Sequence, residues 1–249
     1  MLDEMEISRL QCASANVWPA KHYFFLNGWL LRFSDDSSNR ANSVLPGEYY
    51  GSNAREDIEI VEKAYRAFGK DPKFVIHKYV KPEGLEELLI ECGYQKLSRS
   101  LDVMTCRVAD FVKTGGNQDI VMTSSLHGDG SWFDFLASTD DRIPDQVTTR
   151  IILPSKQFIS ASKDGEIVGT AFAVLDPRGY LYIANLVVDN RYRRKRIATS
   201  LMSRVIAWGM QQGAIHAWFH VDSENDGAIT MYKRMGFEWV YRYGYYCKE

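Results

Sequence analysis

Five cations fall within six residues at Arg191, Arg193, Arg194, Lys195 and Arg196. The apolar run Tyr182–Val188 precedes them, and a segment carrying Leu201, Met202, Val205 and Ile206 at helical spacing follows. The first reads as a buried strand and the second as a helix. Positive charge is thereby crowded onto a helix N-terminus, where free N–H groups and the macrodipole favour anions. The arrangement makes sense if a polyanion docks there, held by backbone N–H groups and cationic side chains together. A solvated charge run and a nucleic-acid patch are the competing readings. The chain as a whole is balanced, with 30 Lys and Arg against 32 Asp and Glu, a net charge of −2, and one isolated basic cluster. A small phosphorylated ligand fits that balance better than a nucleic-acid backbone.

Downstream, Ala217–Asp222 reads as another strand, and Ser223-Glu224-Asn225-Asp226-Gly227 as helix-start chemistry. Ala228 to Phe237 then reads as a helix stopped by Gly236. These residues resemble the GNAT superfamily of acyl-CoA-dependent N-acetyltransferases. Arg193-Arg194-Lys195-Arg196-Ile197-Ala198 approximates the family's Q/R-x-x-G-x-G/A pattern. Val221, Asn225, Ala228, Tyr232, Gly236 and Phe237 match its second pattern, V…N-x-x-A-x-x-x-Y-x-x-x-G-F. The two follow each other in the right order, one helix and one strand apart. One position departs: the family's first glycine is Arg196, where a Cβ can obstruct close approach of backbone to a pyrophosphate. An arginine fits there with a negative φ and its side chain turned away, or it adds a phosphate contact.

The resemblance implies acetyl-CoA as cosubstrate and direct attack by an amine without an acyl-enzyme. It assigns Leu186, Val187 and Val188 to a splayed strand whose backbone pairs with the pantetheine arm, an N–H there polarising the thioester carbonyl. It assigns Arg193, Arg194, Lys195, Arg196, Ile197, Ala198 and Thr199 to the pyrophosphate. Asn225 hydrogen-bonds the pantetheine or phosphate region. Tyr232 is the expected general acid for the departing thiolate, since phenol and thiol pKa values of about 10 and about 8.5 lie close enough for transfer. No base is assigned: His220, Asp222 and Glu224 lie nearby in sequence, and a water chain serves equally. No metal site is expected.

At 249 residues, 45 % hydrophobic, the chain has room for two packed domains. Compared with itself at an offset of 143, it aligns Ala41 with Ala184, Asn42 with Asn185, Val44 with Val187, Tyr49 with Tyr192, His77 with His220 and Gly93 with Gly236. The first half has its own helix pattern at Ala54, Ile58, Val61, Tyr65 and Phe68, a strand at Phe74–His77 and a second helix from Leu85 to Cys92. Asn27-Gly28 signals a tight hairpin, and Lys163-Asp164-Gly165 a second one. The expected organisation is a degenerate GNAT-like domain over 1–110, a linker over 111–118 and a catalytic GNAT domain over 119–249. The fold class is α/β (α+β): two GNAT-like units, each a mixed, mostly antiparallel sheet flanked by helices. The first copy has lost the chemistry, with no cationic cluster at Tyr50–Arg55, Pro82 opposite Asn225 and Leu89 opposite Tyr232.

Cys12, Cys92, Cys106 and Cys247 have neither zinc nor disulfide spacing. No apolar run reaches the length of a membrane span, and the acidic N-terminus lacks a signal-peptide core. A cytoplasmic protein that binds neither membrane nor nucleic acid is expected, its acceptor a small-molecule or peptide amine and its oligomeric state unreadable. A non-catalytic CoA-binding sensor or scaffold is the alternative function. Trp18, Trp29 and Trp132 read as core, with a pocket wall as the alternative.

Overall fold

Asn27 and Gly28 both take positive φ, 47° and 91°, which is the two-residue type I′ turn that suits the twist of a β-hairpin. It joins β1 (His22–Leu26) to β2 (Trp29–Phe33) in antiparallel register, Leu26 opposite Trp29. The computed structural model describes residues 4–35, 37–139 and 155–249, so the first three residues of the acidic N-terminus lie outside it. Contacts divide the chain into two compact units.

The first unit comprises 1–102, 222–224 and 240–249. Helix α1 (Glu4–Val17) leads into the hairpin, followed by β3 (Val44–Pro46), α2 (Ala54–Ala67), β4 (Lys73–His77) and α3 (Leu85–Glu91). Its sheet runs β1-β2-β3-β4, and then takes residues of the last strand, β11 (Glu238–Cys247), and of β5 (Gln95–Arg107). Only the β3–β4 step among the first four strands is parallel. The helical stripe of α2, Ile58, Val61 and Tyr65, is buried against Trp29, Leu31, Val44 and Phe74. Trp18 and Trp29 are core residues.

The second unit comprises 103–221 and 225–239. From the later residues of β5, its sheet runs through β10 (His216–Asp222), β9 (Tyr180–Val188), β8 (Glu166–Leu175), β7 (Lys156–Lys163) and β6 (Val121–Ser125). Strands β6 to β9 pair antiparallel and β9–β10 parallel. The β7–β8 turn is the second hairpin, with Asp164 and Gly165 at positive φ. Helices α5 (Ile197–Gln211) and α6 (Asp226–Arg234) bury Ile197, Leu201, Met202, Val205, Ile206 and Tyr232 on one face of this sheet. On the other face α4 (Gly130–Thr139) sets Trp132 against Phe158 and Phe172.

The two units repeat one another at the spacing read from the sequence. The helix starts Ala54 and Ile197 are 143 residues apart, as are the strand starts Lys73 and His216 and the helix ends Glu91 and Arg234. No described helix is long and apolar enough to cross a membrane.

Candidate active site

Strand β9 is built to leave its neighbour. It pairs with β10 over three residues only, Tyr180 to Tyr182 against His216 to Trp218, although it continues to Val188 and β10 continues to Asp222. Against β8, on its other side, the register slips by one between Thr170/Val187 and Phe172/Ala184, which places one extra residue in β9. That bulge holds Asn185 at φ 50°, and the Thr170 hydroxyl donates to its carbonyl at 3.2 Å. Bulges re-aim a strand and mark functional sites. This one turns half-buried Leu186, Val187 and Val188 into a stretch with no β10 partner. The bulge escaped the sequence reading, though an asparagine inside an apolar run was its signal: Asn is among the few residues that tolerate left-handed backbone.

Beyond the strand the cations separate into two kinds. Arg191 is neutralised: its guanidinium holds the Asp189 carboxylate at 2.7 and 3.1 Å, keeping that carboxyl below its usual range, and its backbone N–H donates to the same group. Arg193, Arg194, Lys195 and Arg196 are exposed, and no carboxylate among the described residues pairs with them. They stand at the start of α5, whose N-cap is Arg196 with no side-chain cap. The first helical bond returned to the loop is from Ser200 N–H to Arg196 C=O, so the N–H groups of Ile197, Ala198 and Thr199 are left to an outside acceptor. Arg196 sits at φ 60°, ψ 18°. Of the two ways an arginine could fit, negative φ with the side chain turned away is not the one observed; Arg196 takes the glycine conformation at the cost of strain.

The segment read as a linker braces this loop. Asn117 donates from its backbone to Ser200 Oγ and from its amide to Lys195 C=O, both at 2.8 Å. Gly116 lies so close that a Cβ there would stand 2.6 Å from Ser200 Oγ. Gly169 on β8 plays the same part underneath, where a Cβ would meet Val187 C=O at 3.1 Å and Ile197 at 3.3 Å.

Asn225 caps α6 by accepting from Ala228 N–H at 3.1 Å, which commits its oxygen and leaves the amide nitrogen. Tyr232 is buried, 4.3 Å from the ring of Phe219, and burial pushes its phenol well above the ordinary tyrosine value. Of the three side chains considered for a base, Asp222 is held by Arg99 at 2.5 Å and Glu224 is exposed. His220 packs among the rings of Tyr182 and Trp218 on the face opposite Tyr232. Trp218 Nε1 on that face is fully buried without an acceptor among the described residues.

The corresponding helix start in the first unit is closed to anions. Asn53 caps α2 with its own side chain, and Glu56 and Asp57 occupy the first turn. Asp57 is buried and held by Asn27 Nδ2 at 2.9 Å and by the Tyr49 hydroxyl at 2.6 Å.

Comparison with known proteins bears on the family and the fold. A family model described as "Probable histone acetyltransferase Rv0428c C-terminal" matches residues 5–246. The chain is 25 % identical over its full length, and over all of the relative's, to the uncharacterised N-acetyltransferase YobR of Bacillus subtilis. In fold it is similar to a GCN5-related N-acetyltransferase from Kribbella flavida, with a TM-score of 0.73 at 17 % identity, covering 97 % of this chain and 95 % of that one. It is also similar to a tandem GNAT protein from the clavulanic acid biosynthesis pathway, with a TM-score of 0.66 at 10 % identity, covering 96 % and 87 %.

Proposed function

The chain belongs to the GNAT acetyltransferases, in the family of the probable histone acetyltransferase Rv0428c C-terminal region, and from that premise we propose that it moves an acetyl group from acetyl-CoA to a primary amine by direct attack in a ternary complex. The observation that carries the reading is the pairing of an opened strand edge with an uncapped, uncompensated cationic helix start in one unit. Acetyl-CoA, when bound, supplies an acetyl group already activated as a thioester.

Unpartnered backbone at Leu186, Val187 and Val188 offers N–H and C=O groups to an amide-bearing arm, and one such N–H polarises a carbonyl as an oxyanion donor does. The N–H groups of Ile197, Ala198 and Thr199, with the side chains of Arg193, Arg194, Lys195 and Arg196, bind a diphosphate. Asn225 orients the same ligand through its Nδ2. Tyr232 Oη keeps its proton across the physiological range because burial disfavours the phenolate; it is a protonated donor, held further from the thiolate match than a solvated phenol would be. The first unit, with Glu56 and Asp57 in the first turn of α2, serves as a degenerate GNAT-like copy. Along the sequence we assign that copy to 1–110, the bracing connection to 111–118 and the catalytic copy to 119–249, while in the fold 222–224 and 240–249 pack with the first unit and 103–110 with the second.

Calorimetric titration with acetyl-CoA tests the reading. One site per chain, followed by acetyl transfer to a member of an amine panel, supports it. Two sites overturn the assignment to the second unit. One site with no transfer to any amine leaves a CoA-binding sensor or scaffold. Replacement of Tyr232 by Phe is expected to lower kcat by about 100-fold or more, the usual worth of a positioned acid, with the titration unchanged. Unaltered kcat would remove Tyr232 from the mechanism.

A further inference from the structure

Strand β1 ends the strand order of the first unit, with no strand paired to its outer side among the described residues. Its sequence, His22-Tyr23-Phe24-Phe25-Leu26, carries no Asp, Glu, Lys or Arg, and Tyr23, Phe24 and Phe25 are 43, 50 and 76 % exposed. Natural sheets protect such edges with lysine, proline, bulges or a covering segment. The one flanking cation, Lys21, is engaged by Asp35 at 2.5 Å. Two further exposed aromatics extend the patch along the strand. Phe68, 51 % exposed, packs on His22 at one end, and Tyr50, 78 % exposed, is tied by its N–H to Asn27 C=O at the other. At roughly 200 Å² per aromatic side chain, the exposed parts of these five sum to about 600 Å², divided along the strand edge between the face of Tyr23 and Phe25 and the face of Phe24, His22 and Phe68.

We propose that β1 pairs antiparallel with β1 of a second copy of this chain, forming a two-fold symmetric dimer centred on Phe24. The register follows from the hairpin. The type I′ turn bonds Leu26 to Trp29, so alternation bonds Phe24 to Leu31 and leaves the N–H and C=O groups of Tyr23 and Phe25 pointing away from β2. A dyad at Phe24 sets Tyr23 opposite the partner's Phe25, so that outward donors meet outward acceptors in both directions and four backbone bonds close. It also sets aromatic side chains opposite one another, the favourable cross-strand combination. The antiparallel sense brings the Phe68 end of one protomer to the Tyr50 end of its partner. Covering the patch on both protomers buries about 1,200 Å², the lower bound of a standard stable interface. A strand that is its own complement in hydrogen bonding, side-chain type and charge specifies a second copy of itself, as an isologous contact requires.

Sedimentation and light scattering over micromolar concentrations test the proposal. The wild type is expected at twice the 28.5 kDa chain mass. Phe24→Lys and Phe24→Glu are each expected at the single-chain mass, because like charges then face each other across the dyad, and an equimolar mixture is expected to restore the dimer. Phe25→Pro removes an outward N–H that β2 does not use, a position where edge strands accept proline, and is expected to be monomeric with an unchanged circular dichroism spectrum. This second variant carries the test if the Phe24 variants misfold. A monomeric wild type overturns the proposal, as does a dimer that survives both Phe24→Lys and Phe25→Pro. Failure of the mixture to re-form a dimer from folded monomers overturns the Phe24-centred register.

Discussion

An arginine at φ 60° pays about 1–2 kcal/mol for a conformation that glycine adopts freely. Arg196 holds it with its guanidinium towards Gly115, a Cβ on which would come within 3.4 Å of an Arg196 guanidinium nitrogen. Two effects of opposite sign are therefore bound up in one side chain, backbone strain and a charge beside the free N–H groups at the start of α5. Arg196→Gly should raise stability by about 1 kcal/mol, a rise in Tm of about 2–4 °C for a chain of this size. The same variant should bind acetyl-CoA more weakly at low salt, with the gap to wild type closing as salt screens the exposed charge. Thermal unfolding together with titration at two ionic strengths separates the two effects. An unchanged Tm would mean that the loop relaxes around residue 196 and stores no strain.

The bulge in β9 is the element on which the site depends, since it ends pairing with β10 and frees Leu186 to Val188. Asn185 can hold φ 50° at modest cost, whereas a β-branched residue cannot. Asn185→Val should therefore lose about 2 kcal/mol and raise the KM for acetyl-CoA, while Asn185→Gly stays close to wild type in both. Urea unfolding and steady-state kinetics on the pair decide this, and equal behaviour of the two variants would show that left-handed backbone is not what position 185 requires. The elements were legible because their signals lie in the order of residue types: the Ile58, Val61, Tyr65 stripe and the Asn27-Gly28 turn in the first unit, the Leu201, Met202, Val205, Ile206 stripe beside the site, and the 143-residue offset between the two copies. What was not legible depends on partners remote in sequence. The register slip is set by β8, the brace by Asn117 reaching Ser200 across 83 positions, and the capture of Asp222 by Arg99. Arg196 is the converse case: residue type left two backbone arrangements open, and the loop geometry selects the left-handed one.

Buried phenols set how the whole molecule responds to alkali. Tyr65 and Tyr94 in the first unit and Tyr232 in the second are all raised above the ordinary tyrosine value, with burial as the leading cause in each. The sign follows from linkage. A phenol raised in the folded state contributes its full stability below the unfolded pKa of about 10 and loses it as pH climbs towards the folded value, because the unfolded chain then binds fewer protons. Each such tyrosine costs about 1.4 kcal/mol per pH unit within that window. Stability to urea should therefore be insensitive to these groups from about pH 7 to about pH 9 and fall steeply beyond about pH 10. Tyr232→Phe should flatten the alkaline slope of the transition that reports the second unit, and Tyr65→Phe that of the first. Because Tyr65 donates its hydroxyl to Arg32 C=O at 3.0 Å, its replacement also costs a buried hydrogen bond at every pH. Tyr232→Phe then gives the cleaner comparison. An alkaline slope identical to wild type in that variant would show that Tyr232 ionises as a solvated phenol does, and would bring its proton back to the near match with a thiolate expected for an unburied tyrosine.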